Sequence, residues 1–162
     1  MVRKVFEQRL EEVNCRLIEI DEALSLDKLP TDVPDLVAEV VAASKQMTKS
    51  VAAEKPWICY LAEVDDRVVG TCAFKGPPTG GRVEIAYFTF PGHEAKGIAT
   101  RMGRALLEIA LRTDPTVEVF AQTLIERNAS HRVLEKLCFE AFGIVDHKED
   151  GQVLEWTYRS PS

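Results

Sequence analysis

Before Pro56 the hydrophobic pattern of the chain is mostly helical, and after it the pattern is mostly that of strands. Apolar side chains recur three and four positions apart at residues 2–13 and again at residues 36–47, which predicts two amphipathic helices. A short apolar run from Arg16 to Ile20 predicts a strand between them. Pro30 and Pro34 mark a loop, and Thr31 or Asp32 is expected to cap the helix that follows it.

The second part of the chain begins with a predicted hairpin. Trp57 to Val64 and Arg67 to Phe74 are apolar runs joined by Asp65-Asp66, and a third strand from Arg82 to Phe90 follows a loop rich in glycine and proline. The later predicted elements are a helix with a stripe of Ile98, Met102, Leu106 and Ile109, a strand from Val117 to Thr123, a helix from Asn128 to Leu137, and two strands around Asp150-Gly151.

This order predicts an α+β fold with three layers, in which helices cover both faces of a central mixed, mostly antiparallel sheet. The sequence has no internal repeat and no linker-like segment, so residues 1–162 are expected to form a single domain. A chain of 162 residues buries roughly 68–70% of its unfolded surface. Its core therefore needs neither a disulfide nor a metal ion.

Composition excludes several classes of protein. A net charge of −6 disfavours binding to nucleic acid, which requires clustered Lys and Arg. No run of about 18 apolar residues is present to span a membrane. The four cysteines form no CxxC pair and the three histidines are far apart, so no metal site is expected. Reduced, buried thiols and a charged N-terminal segment favour a cytoplasmic location.

The segment from Thr89 to Leu107 carries the most informative chemistry. A strand ends at Pro91, a short loop follows, and an amphipathic helix begins directly after Gly97. The unpaired N–H groups and the positive dipole end of a helix attract phosphate, and the small Gly97 lets a phosphate approach the backbone. An ordinary strand-to-helix turn remains the alternative interpretation of these residues.

Two longer segments resemble known signatures. PGHEAKGIATRMGRALLEIA resembles the acyl-CoA pyrophosphate loop of the GCN5-related N-acetyltransferases (GNAT), usually written P-x-x-Q/R-G-x-G-x-G/A. ERNASHRVLEKLCFE resembles the second signature of that family, and together they are most similar to the branch that acetylates ribosomal-protein N-termini. The likeness covers Trp57 to Arg159 and implies transfer of acetyl from acetyl-CoA to a small-molecule or peptide amine, by direct attack in a ternary complex.

The resemblance also implies the binding residues. Phe88, Thr89 and Phe90 line the pantetheine arm and offer a backbone N–H to the thioester oxygen. Asn128 and Ser130, at the start of the second signature helix, flank the other side of the arm. Backbone groups implied to cradle the pyrophosphate are those of Glu94, Ala95, Lys96, Gly97, Ile98, Ala99 and Thr100.

The chain departs from the family pattern at several positions. Glu94 stands where the family has Arg or Gln, and its side chain is expected to point to solvent or to pair with Lys96. Arg127 replaces an Asn, and Cys138 replaces a Gly, so that the helix end is expected to use another conformation. These departures favour an alternative function, a non-catalytic acyl-CoA-binding sensor or docking domain.

Glu84 is the candidate general base. Alternation along its strand places it on the face of Ala86, Phe88 and Phe90, where desolvation would raise the pKa of a carboxyl group. The alternative is an ion pair with Arg82 or with another cation. Many family members have a Tyr that acts as general acid on the second signature helix. Leu134 occupies that position here, so this general acid is missing.

The remaining chemically active residues have structural interpretations. Ser130 is expected to cap its helix, His131 to lie on the solvated surface, and Tyr87 to pack on the face opposite Glu84. Trp57 and Trp156 are expected in the core. The amphipathic segment at residues 2–13 could also mediate a homodimer.

Overall fold

The computed structural model of the chain describes residues 15–160. Its strands are β1 (Cys15–Glu19), β2 (Cys59–Val64), β3 (Arg67–Phe74), β4 (Arg82–Thr89), β5 (Glu118–Thr123), β6 (Phe139–His147) and β7 (Gly151–Tyr158). Its α-helices are α1 (Pro34–Ser50), α2 (Ile98–Thr113) and α3 (Ala129–Lys136), and a 3-10 turn covers Leu26–Lys28. The strands form one sheet in the order β1-β2-β3-β4-β5-β7-β6.

The predicted α+β architecture is confirmed. Every neighbouring pair of strands is antiparallel except β4 and β5, which run parallel. The elements predicted between residues 16 and 159 are all present, with boundaries shifted by a few residues. The helix predicted at residues 2–13 lies outside the described residues, and the single domain over residues 1–162 stays a prediction.

Two apolar clusters cover the two faces of the sheet. Helix α1 packs on one face, where Val37 and Val41 contact Phe90 and the inner side of β2. Helices α2 and α3 pack on the other face, where Met102 and Leu134 join the larger cluster. Helices on both faces produce the three predicted layers.

The sheet opens between its two central strands. Strands β4 and β5 pair at only three positions, of which the last joins Glu84 to Phe120. β4 then continues to Thr89 and β5 to Thr123, and both remain paired to their outer neighbours. A gap therefore separates the two halves of the sheet beyond Glu84.

Helix α3 begins and ends differently from the prediction. Asn128 is its N-cap, because its side-chain oxygen accepts a hydrogen bond from the Ser130 N–H at 2.8 Å. The expectation that Ser130 caps the helix is wrong, since Ser130 lies inside the first turn. At the other end Cys138 has a φ of 68°, the left-handed conformation that glycine usually supplies. The exchange of Gly for Cys therefore leaves the backbone conformation of the helix end unchanged, contrary to expectation.

The remaining structural expectations are met in part. Cys59 and Cys72 are buried, Cys15 is partly buried and Cys138 is exposed, and all four are free thiols. Trp156 is buried, and Trp57 packs edge-on against Phe74 with 5.0 Å between the ring centroids.

Within residues 15–160, no helix has the length and hydrophobicity needed to cross a bilayer. No group of three or more His, Cys, Asp or Glu in the same range could hold a metal ion.

Candidate active site

The loop between β4 and α2 is shaped to bind an anion. Three of its residues, Gly92, Ala95 and Gly97, have left-handed φ values of 91°, 61° and 76°. The loop leads directly into the first turn of α2, whose N–H groups have no partner within the helix and can bind an anion. A Cβ atom placed on Gly97 would meet nothing within 4 Å, so the space in front of the loop is open.

His93 and Glu94 make the hydrogen bonds that hold the loop. The His93 N–H donates to Phe90 O at 3.0 Å, and its ring Nε2 lies 3.1 Å from an Asp32 carboxylate oxygen. The Glu94 carboxylate accepts a hydrogen bond from the Gly92 N–H at 3.0 Å, and the side chain is exposed. The Glu94 side chain therefore points to solvent, which was one of the two expectations. It accepts a hydrogen bond from the loop backbone and does not pair with Lys96.

Of the three residues expected to line the pantetheine arm, Thr89 is the one whose backbone faces the gap. The Phe90 N–H donates to Val69 O at 2.8 Å, and the pairing register places Phe88 opposite Thr71. Alternate residues of an antiparallel strand bond to the same neighbour, so Phe88 and Phe90 both bond to β3. The N–H of Thr89 points the other way, toward the space between β4 and β5.

Glu84 lies where the gap opens. Its side chain is 18% exposed, and one of its carboxylate oxygens lies 3.5 Å from Lys75 Nζ. Burial raises the pKa of Glu84 above the usual value, while the positive charge of Lys75 opposes this shift. The carboxyl group thus combines partial desolvation with a nearby cation, which suits a group that must take up and release a proton.

The cation that pairs with Glu84 is Lys75. The sequence had suggested Arg82 or another cation, and Arg82 has other partners. Arg82 lies with its guanidinium 4.1 Å from the centre of the Phe120 ring. It pairs with Glu118, and its second nitrogen lies 3.5 Å from a carboxylate oxygen of the buried Glu155. Arg82 therefore belongs to a neighbouring charge group on the same face of the sheet.

A cavity of about 460 Å³, here called the gap cavity, lies beyond the carboxyl end of β5. Asn128 and Ser130 line it at the start of α3, as do Gln122 and Thr123 of β5. Lys75 lines its opposite side. The two α3 residues expected beside the pantetheine arm are thus at the gap, although the Asn128 side chain is engaged as the helix cap.

A second cavity of about 280 Å³, here called the α1 cavity, lies between α1 and the sheet. Its helix wall consists of Val40, Ala43, Ser44 and Met47. Its sheet wall includes Thr71, Ala73, Lys75, Ala86 and Phe88. Lys75 lines both cavities, and its ion pair brings Glu84 close to them.

Tyr87, His131 and Leu134 lie on the opposite side of the sheet. The Tyr87 hydroxyl donates to Ser130 O at 3.4 Å across the gap, and burial raises its pKa to about 12. Leu134 is fully buried in the core. The expectation of a solvated His131 is wrong, because its ring is buried against Trp156 and its Nε2 donates to Leu124 O at 2.8 Å.

Sequence reasoning missed Lys75 and Glu155. Lys75 faces Glu84 because the β3–β4 register continues one step beyond Phe74, where the Lys75 N–H donates to Glu84 O at 2.9 Å. Correct pairing of the two predicted strands would have revealed this neighbour. Glu155 reaches the same face only through the order β4-β5-β7, for which the sequence carries no short-range signal.

A loop with left-handed residues and a partly buried carboxylate thus lie at opposite ends of β4. The acetyltransferase (GNAT) domain family matches residues 22–140, which is more than half of the chain. The chain therefore belongs to this family. The expected membership of the GNAT family is thereby confirmed.

The matches between this chain and its curated relatives cover only part of those relatives. The chain is 30% identical over 96 residues to an N-acetylaspartate synthetase of Xenopus tropicalis, and 31% identical over 94 residues to one of Rattus norvegicus. These matches cover 58% and 57% of this chain but only 35% and 31% of the relatives. The chain thus spans about a third of the length of these proteins.

Solved structures share the fold. The ribosomal-protein alpha-N-acetyltransferase RimL superimposes with a TM-score of 0.66 at 17% identity, over 90% of this chain and 92% of that one. A second RimL structure, in complex with coenzyme A, also has a TM-score of 0.66, at 15% identity over 90% and 93% of the chains. A ribosomal-protein alanine acetyltransferase from Vibrio fischeri reaches 0.61 at 13% identity, over 88% and 90%. At the level of the fold, the expected likeness to the ribosomal-protein branch is confirmed.

Proposed function

We propose that this domain binds acetyl-CoA and transfers its acetyl group to a primary amine, by direct attack of the amine within a ternary complex. One observation carries the proposal. The pairing of β4 and β5 ends at Glu84, so a partly buried carboxyl group lies at the mouth of a gap whose other end is the anion loop. Membership of the acetyltransferase family supports the same reaction.

The length of β4 supports a donor of the size of acetyl-CoA. Five residues separate Glu84 from Thr89, a distance of about 17 Å at the usual rise of a strand. A donor must therefore carry its phosphates and its reactive acyl group at opposite ends of an extended arm, as coenzyme A does. In this proposal residues 94–100 hold the pyrophosphate, and the open space in front of Gly97 fits that role.

The chain's own residues supply two functions in the proposed mechanism. Glu84 accepts a proton from the attacking amine, since only the neutral amine is a nucleophile. The gap-facing N–H of Thr89 lies about 17 Å from Glu84 along β4, so it donates to the pantetheine arm, and the contact with the thioester oxygen expected for residues 88–90 is not part of this mechanism. The N–C bond forms, the C–S bond breaks, and the sulfur leaves as a thiolate that needs little help because a thiol has a pKa near ~8.5. The products are an amide and the free thiol.

Replacement of the proposed base tests this mechanism. Glu84→Gln keeps the shape of the side chain but cannot accept the proton, so kcat for thiol release should fall by roughly 10²- to 10⁴-fold. The acetyl-CoA thermal shift should remain, because Glu84 lies far from the phosphate loop. Glu140→Gln makes the same exchange at an exposed carboxylate on β6 and should leave kcat unchanged. Equal rates in Glu84→Gln and the parent would remove Glu84 from the mechanism.

The second candidate function is a sensor or docking domain that binds acyl-CoA without turnover. Glu94 favours it, because its carboxylate occupies a loop N–H that would otherwise face phosphate. Arg127 is less informative, since it pairs with Glu135 on α3. Binding of acetyl-CoA with no thiol release on any amine would favour this second function.

The names of the relatives support an amine acceptor. Aspartate and a protein N-terminus, to which those names refer, both carry a primary amine.

We also propose a cytoplasmic location, which free thiols at Cys59 and Cys72 support because reducing compartments keep thiols free. The homodimer considered from the sequence involves residues outside the described range, and gel filtration of the full chain tests it.

A further inference from the structure

The α1 cavity has few charges for an acceptor to meet. Among its lining residues, Lys75 is the one that carries a charge, and most of the others are aliphatic or aromatic. Lys75 is paired with Glu84, whose carboxylate oxygen lies 3.5 Å from Lys75 Nζ. An amine beside Glu84 is therefore matched by one acidic group, but a second ammonium group deeper in the cavity would lie among apolar side chains. Such an unpaired, desolvated cation is costly.

Phe88 supplies apolar surface that the core does not cover. Its side chain forms part of the sheet wall and is 50% exposed, although it contacts Phe90 with 5.9 Å between the ring centroids. An exposed aromatic ring on the wall of a cavity is typical of a binding site. An apolar group placed there would be removed from water by Phe88 and by Met47 on the facing helix.

The cavity offers little to the amide groups of a peptide. Three of its lining residues carry a hydroxyl group, and of these Thr71 already donates to Tyr60 O at 2.8 Å and Tyr87 to Ser130 O at 3.4 Å. A bound peptide would need partners for each buried backbone amide. The volume of about 280 Å³ corresponds to roughly nine waters at about 30 Å³ each, which is the size of a small organic amine.

We propose that the acceptor is a small primary amine with a single positive charge on an apolar skeleton, of the class of 2-phenylethylamine. The proposal rests on the proposed function. The amino group lies beside Glu84 and the apolar skeleton fills the α1 cavity against Phe88. Polyamines and aminoglycosides fit this cavity poorly, because each brings additional positive charge among its apolar side chains. Acidic amino acids have little apolar surface to place against Phe88.

Ala43 and Ala42 provide a matched pair of variants for the test. Both are exposed residues of α1, but only Ala43 lines the cavity. Ala43→Asp places a carboxylate in the helix wall, whereas Ala42→Asp adds the same charge about 100° further around the helix. The probes are 2-phenylethylamine, spermidine, L-aspartate and the tripeptide Phe-Gly-Gly, and the readout is kcat/KM for thiol release from acetyl-CoA.

The parent should prefer 2-phenylethylamine over spermidine and L-aspartate by roughly tenfold or more. Ala43→Asp should lower kcat/KM for 2-phenylethylamine by about tenfold and raise it for spermidine, while Ala42→Asp should behave like the parent. A parent that prefers spermidine or L-aspartate, an unchanged order in Ala43→Asp, or turnover confined to the tripeptide would overturn the proposal. Those results leave acetyl transfer intact. Acetyl-CoA binding with no turnover on any probe would overturn the acceptor proposal as well, and would favour the binding domain without turnover over the transferase.

Discussion

Cys138 occupies a backbone conformation that is unfavourable for any residue with a side chain. Its φ of 68° is left-handed, and its carbonyl accepts a hydrogen bond from the Arg159 N–H at 3.0 Å, which ties the helix end to the last strand. The left-handed conformation costs an L-residue roughly 1–2 kcal/mol, and glycine avoids this cost. The conformation is thus set by the connection from α3 to β6, and not by the residue at position 138.

Glycine at this position should stabilise the protein. Cys138→Gly removes the strained Cβ but adds flexibility to the unfolded chain, so the free energy of unfolding should rise by about 0.5–1 kcal/mol in urea denaturation. Cys138→Ala keeps the Cβ and should change the stability little. A Gly variant no more stable than the Ala variant would show that the backbone there is not strained.

Residue identity alone predicted Glu84 but could not predict its partner. A carboxylate in an alternating apolar strand is visible in the sequence, whereas its cation comes from the adjacent strand through the pairing register. His131 was misplaced for a related reason. Its buried position depends on contacts with Trp156 and with the carbonyl of Leu124, which belong to other elements.

At the scale of elements, the loop and the helix α2 act together. Gly97 is the N-cap of α2 and the last of the left-handed residues of the loop, so its conformation determines where the first N–H groups of the helix point. The loop and the helix can both be predicted from the sequence, because small residues and the apolar stripe that follows them are local signals. The three-residue pairing of β4 with β5 is not local, and no short-range pattern indicates where it ends.

An acidic residue at Gly97 should abolish cofactor binding. Gly97→Asp brings a carboxylate to the anion site and a side chain to a left-handed position, so the acetyl-CoA thermal shift should disappear. Gly80→Asp is the matched control, because Gly80 also has a left-handed φ, of 59°, and open space around it, but lies in the β3–β4 loop. An undiminished shift in Gly97→Asp would mean that the phosphates bind elsewhere.

At the scale of the whole molecule, the charges that act on Glu84 come from both halves of the sheet. Lys75 follows β3 in one half, while His147 and Glu155 belong to β6 and β7 in the other. Lys75 and His147 lower the pKa of Glu84, and Glu155 together with burial raises it. The protonation of the proposed base therefore depends on how the two halves are held together across the gap.

Removal of the Lys75 charge should move the titration of Glu84. Lys75⁺ favours the ionised carboxylate, so Lys75→Met should raise the pKa of Glu84 further and displace its carboxyl titration, followed by carbon NMR, to higher pH. Glu84→Gln assigns the signal, and Lys49→Met removes an exposed charge of α1 as the control. A titration at the same pH in Lys75→Met and the parent would show that the cation does not act on Glu84.

The exposed thiol at the end of α3 has a practical consequence for enzymology. Reagents that detect released coenzyme A by its sulfhydryl also react with accessible cysteines, and more slowly with buried ones. Each chain would then consume one equivalent of reagent before catalysis contributes to the signal, which imitates the burst of an acylated enzyme. A glycine in place of that cysteine removes this fast background.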